Sequence, residues 1–348
     1  MNPYVLTILL SSLGLGTTLT FASSHWLLAW MGLEINTLAI IPLMAQQHHP
    51  RAVEAATKYF LTQATAAAMI LFAATTNAWM TGEWSINNLH DPVASSMTIA
   101  ALALKIGLAP MHFWLPEVLQ GLDLLTGLIL STWQKLAPLV LIIQVAPSIN
   151  PAMLTLLGLL STLTGGWGGL NQTQVRKILA YSSIAHMGWM IIISQYAPHL
   201  TLLALSTYLF MTSAAFLSLK MTSTMKITTM TMMWSKAPIL VSTTALAFLS
   251  LGGLPPLTGF MPKWLILQEM AKQQLPLTAT IMALAALLSL YFYLRLCYAM
   301  ALTISPNTTN ATTPWRTKTT QSTITLALFT TATLGLLPIT PAILTLTI

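Results

Sequence analysis

The chain has 348 residues, of which 55% are hydrophobic and only 6% charged, and its mean hydropathy is +0.74. A water-facing surface has no room for so much apolar side chain, so a soluble globular fold is excluded and the protein is read as integral to a membrane. The formal net charge of +7 is topological, set by basic loops on one side of the bilayer, and no nucleic-acid footprint is read from it.

About 20 apolar residues cross a bilayer. On that measure the sequence predicts an all-α polytopic membrane protein of eleven transmembrane helices, near 3–22, 25–45, 55–80, 93–119, 123–146, 150–170, 175–195, 200–220, 238–272, 276–302 and 322–346. The first begins MNPYVLTILL, with no Lys or Arg before Arg51, so it is expected to be retained and not cleaved as a targeting segment. The second carries Glu34 in WLLAWMGLEINTLAIIPL, and His48 and His49 in the following loop are expected to be solvated. The fourth carries Lys105 in IAALALKIGLAP and is broken by Pro110 and Pro116 around His112; the fifth carries Lys135 in LILSTWQKLAPLVL. The sixth ends in GGWGG at 165–169, which lacks the lysine and the strand of a phosphate loop and is read as a close helix contact. His186 lies in the seventh, within YSSIAHMGWM. A Met-rich run at 220–236 is expected to form a loop or a short interfacial helix. The ninth is broken by Gly252, Gly253, Pro255, Pro256 and Gly259 just before Lys263. Cys297 in the tenth is the only cysteine, which rules out disulfides within the chain and cysteine-ligated iron–sulfur or zinc sites on it. A Thr- and Asn-rich stretch at 305–321 reads as a linker to the eleventh.

Loop charge sets the expected orientation. Arg51, Lys58, Arg176, Lys177, Lys220, Lys226, Lys236, Arg316 and Lys318 fall on one side, against Lys272, Glu83, Asp91 and Glu269 on the other. The N-terminus is therefore expected on the positive side and the C-terminus opposite. The sequons at Asn171, Asn307 and Asn310 fall on the positive side and are read as unmodified. If helices one to five and six to ten are two units, the broken helix is fourth in each, and an odd unit length inverts the second. The expected organisation is a first five-helix repeat at 1–146, a second, inverted one at 147–303, and a linker with a C-terminal helix at 304–348. Paired broken helices in inverted halves are the layout of secondary transporters.

Charge at the bilayer centre costs roughly 2.5–3.5 kcal/mol even on lenient scales, so Glu34, Lys105, Lys135 and Lys263 need a role. At about 1.5 Å per residue, Glu34, Lys105, Lys135 and His186 lie at one depth, too central for the lysines to snorkel to the surface. Such a set reads as an ion or proton path, because a desolvated lysine can lose its proton and a nearby carboxylate restores its charge. His112, at a break that can hold water, and His186 fit either a proton relay or a hydrogen-bonded core.

The segments KIGLAPMHFWLPE from Lys105 and LGGLPPLTGFMPKW through Lys263, with the order of the spans and the start MNPYV, resemble the antiporter-like membrane-arm subunits of respiratory complex I. The resemblance covers essentially the whole chain and fits the short, vertebrate mitochondrial form. It implies a proton-translocating subunit of NADH:ubiquinone oxidoreductase with no cofactor on this chain, the complex's NADH, FMN, iron–sulfur clusters and ubiquinone being on other subunits. It maps the family's glutamate–lysine pair to Glu34 and Lys105, its central lysine to Lys135 and its second broken-helix residue to Lys263, with His112 and His186 as further relay members. It also implies the mitochondrial inner membrane, with the N-terminus in the matrix and the C-terminus in the intermembrane space. The partners implied are neighbouring antiporter-like, small membrane and accessory subunits, and phospholipids such as cardiolipin. Two rivals are a stand-alone cation/proton antiporter, which would transport without partners, and a structural spacer, which would tolerate neutral replacements of the buried lysines.

Overall fold

The computed structural model describes residues 2–46, 49–89, 91–235, 237–301 and 323–347. His48, Lys236, Arg316, Lys318, Asn307, Asn310 and the linker at 305–321 lie outside the described residues. Among the described residues the chain is helical and has no strand, only isolated bridges at His25–Ser85 and Gln174–Lys226. Six helices among the described residues are long and apolar enough to cross a membrane: α1 (Pro3–Ala22), α2 (Trp26–Met44), α3 (Pro50–Thr81), α6 (Leu124–Val145), α9 (Pro198–Thr222) and α13 (Pro276–Ala301). Further helices are α4 (Pro92–Ile106), α5 (Trp114–Gly121), α7 (Pro151–Gly169), α8 (Val175–Ile193), α10 (Ile227–Met230), α11 (Pro238–Gly252) and α12 (Phe260–Lys272). Proline opens α1, α3, α4, α9 and α11, where its missing N–H would have had no partner in any case.

Two departures from the sequence expectation have local causes. The third helix starts at Pro50 and not near 55, with the His49 side chain accepting from Arg51 N–H, so Arg51 is a helical residue and not a loop residue. The last span holds α14 (Ile324–Gly335) and α15 (Thr340–Thr347) and is bent, the segments Ile324–Gly335 and Leu337–Ile343 meeting at 65° where Pro338 removes a backbone donor. The Met-rich run, expected as a loop or a short helix, holds the short helix α10 followed by a 3-10 turn at Thr231–Ser235.

Both expected breaks are present. In each, the first half-helix ends on a glycine in the left-handed region, Gly107 at φ 83° after α4 and Gly253 at φ 82° after α11. A side chain there is strained, and a Cβ on Gly107 would sit 2.9 Å from the Leu115 side chain. The two breaks align residue by residue, GLAPMHFWLPE from Gly107 against GLPPLTGFMPK from Gly253. Glu117 thus takes the place that Lys263 takes in the second.

The chain divides into two compact units, Met1–Ser161 and Thr162–Ile348. In the first, α1 and α2 approach backbone to backbone, since a Cβ at Gly16 or at Gly32 would lie 2.8 Å from the other's carbonyl oxygen. Trp133 on α6 donates to the Leu13 carbonyl at 3.3 Å and Gln134 to the Asn36 carbonyl at 3.3 Å, fixing α6 against α1 and α2. Lys58 holds α3 to α5 through Glu117 at 2.8 Å and also pairs with Glu54 at 2.8 Å. In the second unit the glycines at the end of α7 meet the Ala185 backbone, Tyr181 and Phe292, where any Cβ would collide. The GGWGG run is therefore a packing motif there.

Candidate functional site

In the first unit Glu34 comes from α2, Lys105 from the last turn of α4 and Lys135 from α6. Glu34 Oε1 and Lys105 Nζ are 4.0 Å apart, and the lysine side chain is 2% exposed against 24% for the glutamate. Thr37, one turn along α2, donates to Glu34 Oε2 at 3.1 Å and to the Glu34 carbonyl at 2.9 Å, which holds the carboxylate with its other oxygen toward the lysine. Lys105 Nζ is buried and makes no hydrogen bond among the described residues, so the carboxylate is its compensation. The lysine also sits where α4 ends at Gly107, the negative pole of the half-helix. Trp114, the first residue of α5, donates to the Leu104 carbonyl at 3.0 Å and pins the break beside it.

Lys135 is 2% exposed. Between it and Lys105 lies a small void of about 10 Å³, bordered by Asn36, Tyr59, Gln63 and Gln134, room for about one water molecule. The structure therefore brings three of the sequence-predicted residues together. His112 is buried within the break, hydrogen-bonded to the Pro110 backbone and 4.3 Å from the Phe113 ring centre to centre. It does not border that void.

In the second unit His186 on α8 and Lys263 on α12 border a common void of about 10 Å³, together with Thr207. The His186 ring lies 5.5 Å from the Tyr208 ring. Lys263 reaches back across the break and donates to the Gly252 carbonyl at 2.8 Å. Its ammonium thus lies at the negative end of α11 as Lys105 lies at that of α4, from the opposite side of the break in sequence. A larger apolar cavity of about 440 Å³, walled by Trp189, Phe260, Trp264 and Leu287, also opens onto Lys263.

Sequence reasoning missed the carboxamides around the first void and one cation. Gln63 stands alone in the apolar run FLTQATAAAM, a signal of the same kind as Glu34 but without charge. Arg295, inside α13, spends its guanidinium on the Leu170 and Gln172 carbonyls in the turn after α7, which makes it a cap on that turn. Cys297 is buried, with its Sγ 3.5 Å from the Ala245 carbonyl. Among the described residues no three His, Cys, Asp or Glu side chains converge on a metal position.

The family described as NADH:quinone oxidoreductase/Mrp antiporter, TM, matches residues 23–289, and that described as NADH dehydrogenase subunit 2 C-terminus matches residues 290–344. The NADH-ubiquinone oxidoreductase chain 2 of Carassius auratus is 82% identical over 347 residues, covering 100% of both chains. The chain belongs to the NADH-ubiquinone oxidoreductase chain 2 family. A chain of respiratory complex I from Thermus thermophilus, solved with bound aureothin, superposes with a TM-score of 0.86 at 29% identity, over 98% of this chain and 80% of that one. A chain of the Mrp complex from Dietzia sp. DQ12-45-1b reaches 0.84 at 16% identity, over 97% of this chain and 76% of that one; this likeness is one of fold alone. The family member is thus an all-helical, antiporter-like integral membrane protein.

Proposed function

We propose that this chain is a membrane-arm subunit of the proton-pumping NADH:ubiquinone oxidoreductase, respiratory complex I, and conducts protons through buried Glu, Lys and His side chains. The observation that carries the reading is the 4.0 Å pair of Glu34 with a Lys105 that makes no hydrogen bond among the described residues, next to a second buried lysine across a water-sized void. A spacer needs no such arrangement, because two apolar residues would pack there at lower cost. Glu34, Lys105 and Lys135 form the segment of the relay in the first unit, and His186 and Lys263 that in the second, with His112 lining the first break. A change in the Glu34–Lys105 separation shifts the charge state that Lys105 favours, and its proton then passes toward Lys135.

The broader architecture follows the same reading: eleven spans, with repeats at 1–146 and 147–303 inverted relative to one another and a linker and last helix at 304–348. The alignment of the two breaks supports it. Flavin, clusters and quinone belong to other subunits, and neighbouring antiporter-like, small and accessory subunits and phospholipids such as cardiolipin are the partners. The location is the mitochondrial inner membrane. The N-terminus lies in the matrix and the C-terminus in the intermembrane space, on the strength of the loop lysines and arginines. Single cysteines at Ser85 and at Thr173, in a Cys297→Ser background, are expected to react with impermeant reagents from opposite sides. Labelling of both from one side removes the orientation.

The alternative, a stand-alone cation/proton antiporter, is favoured by the fold shared with the Mrp chain. Vesicles carrying the assembled complex separate the two. With choline replacing sodium and potassium, NADH and ubiquinone are expected to drive full proton translocation, and a sodium gradient without NADH is expected to drive none. Proton flux on the sodium gradient alone moves the assignment to the antiporter.

A further inference from the structure

The void between Lys105 and Lys135 is too small for a hydrated cation and too polar to be a packing defect. Dry cavities are lined by apolar groups, whereas a void of one water's size with several polar partners is where water is held. Gln63 is the informative side chain. It is 3% exposed on α3, borders the void, and its Nε2 is buried with no hydrogen-bond partner. An orphaned buried amide N–H costs about 1–3 kcal/mol, and the Lys105 ammonium on the border of the void cannot satisfy it, because it is only a donor. A water oxygen can. Gln134 is held in place by its bond to the Asn36 carbonyl, so its own position on the void is fixed by α2.

We propose that this void is a binding site for a single water molecule and that Gln63 is the positioning residue that orients it between Lys105 and Lys135. The proposal rests on the proton-relay reading and adds the step that joins the two lysines. The Gln63 Nε2–H donates to the water oxygen, which turns the water's own hydrogens away from Gln63 and toward an amine. In the transfer the water oxygen takes one proton from the Lys105 ammonium and gives a different one to the neutral Lys135 amine. One N–H and one O–H bond break, one O–H and one N–H bond form, and the water is regenerated with the positive charge moved to Lys135. A chloride ion in the same space would hold both lysines charged and stop the relay, so the occupant is water.

The test uses the intact complex. A map at a resolution that shows ordered solvent is expected to place one water oxygen within about 2.7–3.2 Å of Gln63 Nε2 and in reach of both lysine nitrogens. No density in the void, or an anomalous signal there after bromide exchange, overturns the site. Gln63→Met keeps the length and removes both hydrogen-bonding functions. It is expected to lower ubiquinone-linked turnover about fivefold to tenfold, the rate equivalent of one neutral hydrogen bond, and to raise the solvent deuterium isotope effect. NADH oxidation by an artificial acceptor should be unchanged, and Gln63→Glu, which keeps the length but replaces the donor with an acceptor, should not recover the loss; full recovery in Gln63→Glu overturns donation by Nε2–H. Full turnover with an unchanged isotope effect in Gln63→Met overturns the positioning role. Lys135→Met run in parallel tells the two failures apart: if it still pumps normally the relay reading itself falls, and if it does not while Gln63→Met does, only the water site falls. Should Gln63→Met not assemble, the solvent density of the native complex decides.

Discussion

Glu34→Gln is expected to reduce ubiquinone-linked turnover and proton translocation together, on the order of tenfold. Glutamine keeps the shape and the bond from Thr37 but removes the charge 4.0 Å from Lys105 Nζ. Removing one partner of a fully buried pair costs about 3–5 kcal/mol; Glu34 is 24% exposed and the separation is at the long end for an ion pair, so a smaller fraction reaches the barrier. Lys105 then has no compensating carboxylate and stays in one charge state, and the relay cannot cycle. Electron transfer from NADH to an artificial acceptor is expected to persist, since the reading puts no redox centre on this chain. The double variant Glu34→Gln with Lys105→Met is expected to be little worse than either single one, the non-additivity of residues that act as a unit. Losses that multiply in the double variant would mean that the two residues work independently, and the switch would be lost even with the subunit assignment intact.

Lys135→Met is expected to abolish pumping through this subunit while the complex still assembles. Methionine is flexible, apolar and of similar length, so it fills the space of a side chain that is 2% exposed without leaving a cavity. It cannot accept a proton from Lys105, and any route that uses the void between them is closed. The measurement is the ratio of protons moved to electrons passed, in vesicles, beside the assembly level on a native gel. An unchanged ratio returns Lys135 to a packing role and removes the relay from the first unit.

Much of the site was legible because charge in an apolar run is conspicuous whatever the fold. Glu34, Lys105, Lys135 and Lys263 each interrupt a stretch that would otherwise cross a membrane, and the cost of leaving them unpaired points to function without coordinates. The carboxamides were not legible in the same way. Gln63 and Asn36 carry no charge, and a single amide in a helix is as compatible with a lipid-facing or helix-bonding position as with a site. Which of these it is depends on what faces it from α2, α4 and α6. Arg295 escaped for a related reason: its partners are backbone carbonyls more than a hundred positions away, and a carbonyl leaves no mark in sequence.

The sequence by itself determined the membrane class, the near positions of the helices and the two breaks, because these follow from local quantities: apolar length, proline's missing donor and glycine's freedom at positive φ. Tertiary structure alone decided which charges meet. Glu34 and Lys105 are 71 residues apart, and their contact exists because α2 and α4 lie in one bundle. Lys105 precedes its break and Lys263 follows its own, so the sequence makes them look unlike. Only the fold, by bending Lys263 back to the Gly252 carbonyl, puts both ammonium groups at the same pole of a half-helix, where the backbone dipole offsets part of the charge that lipid will not solvate.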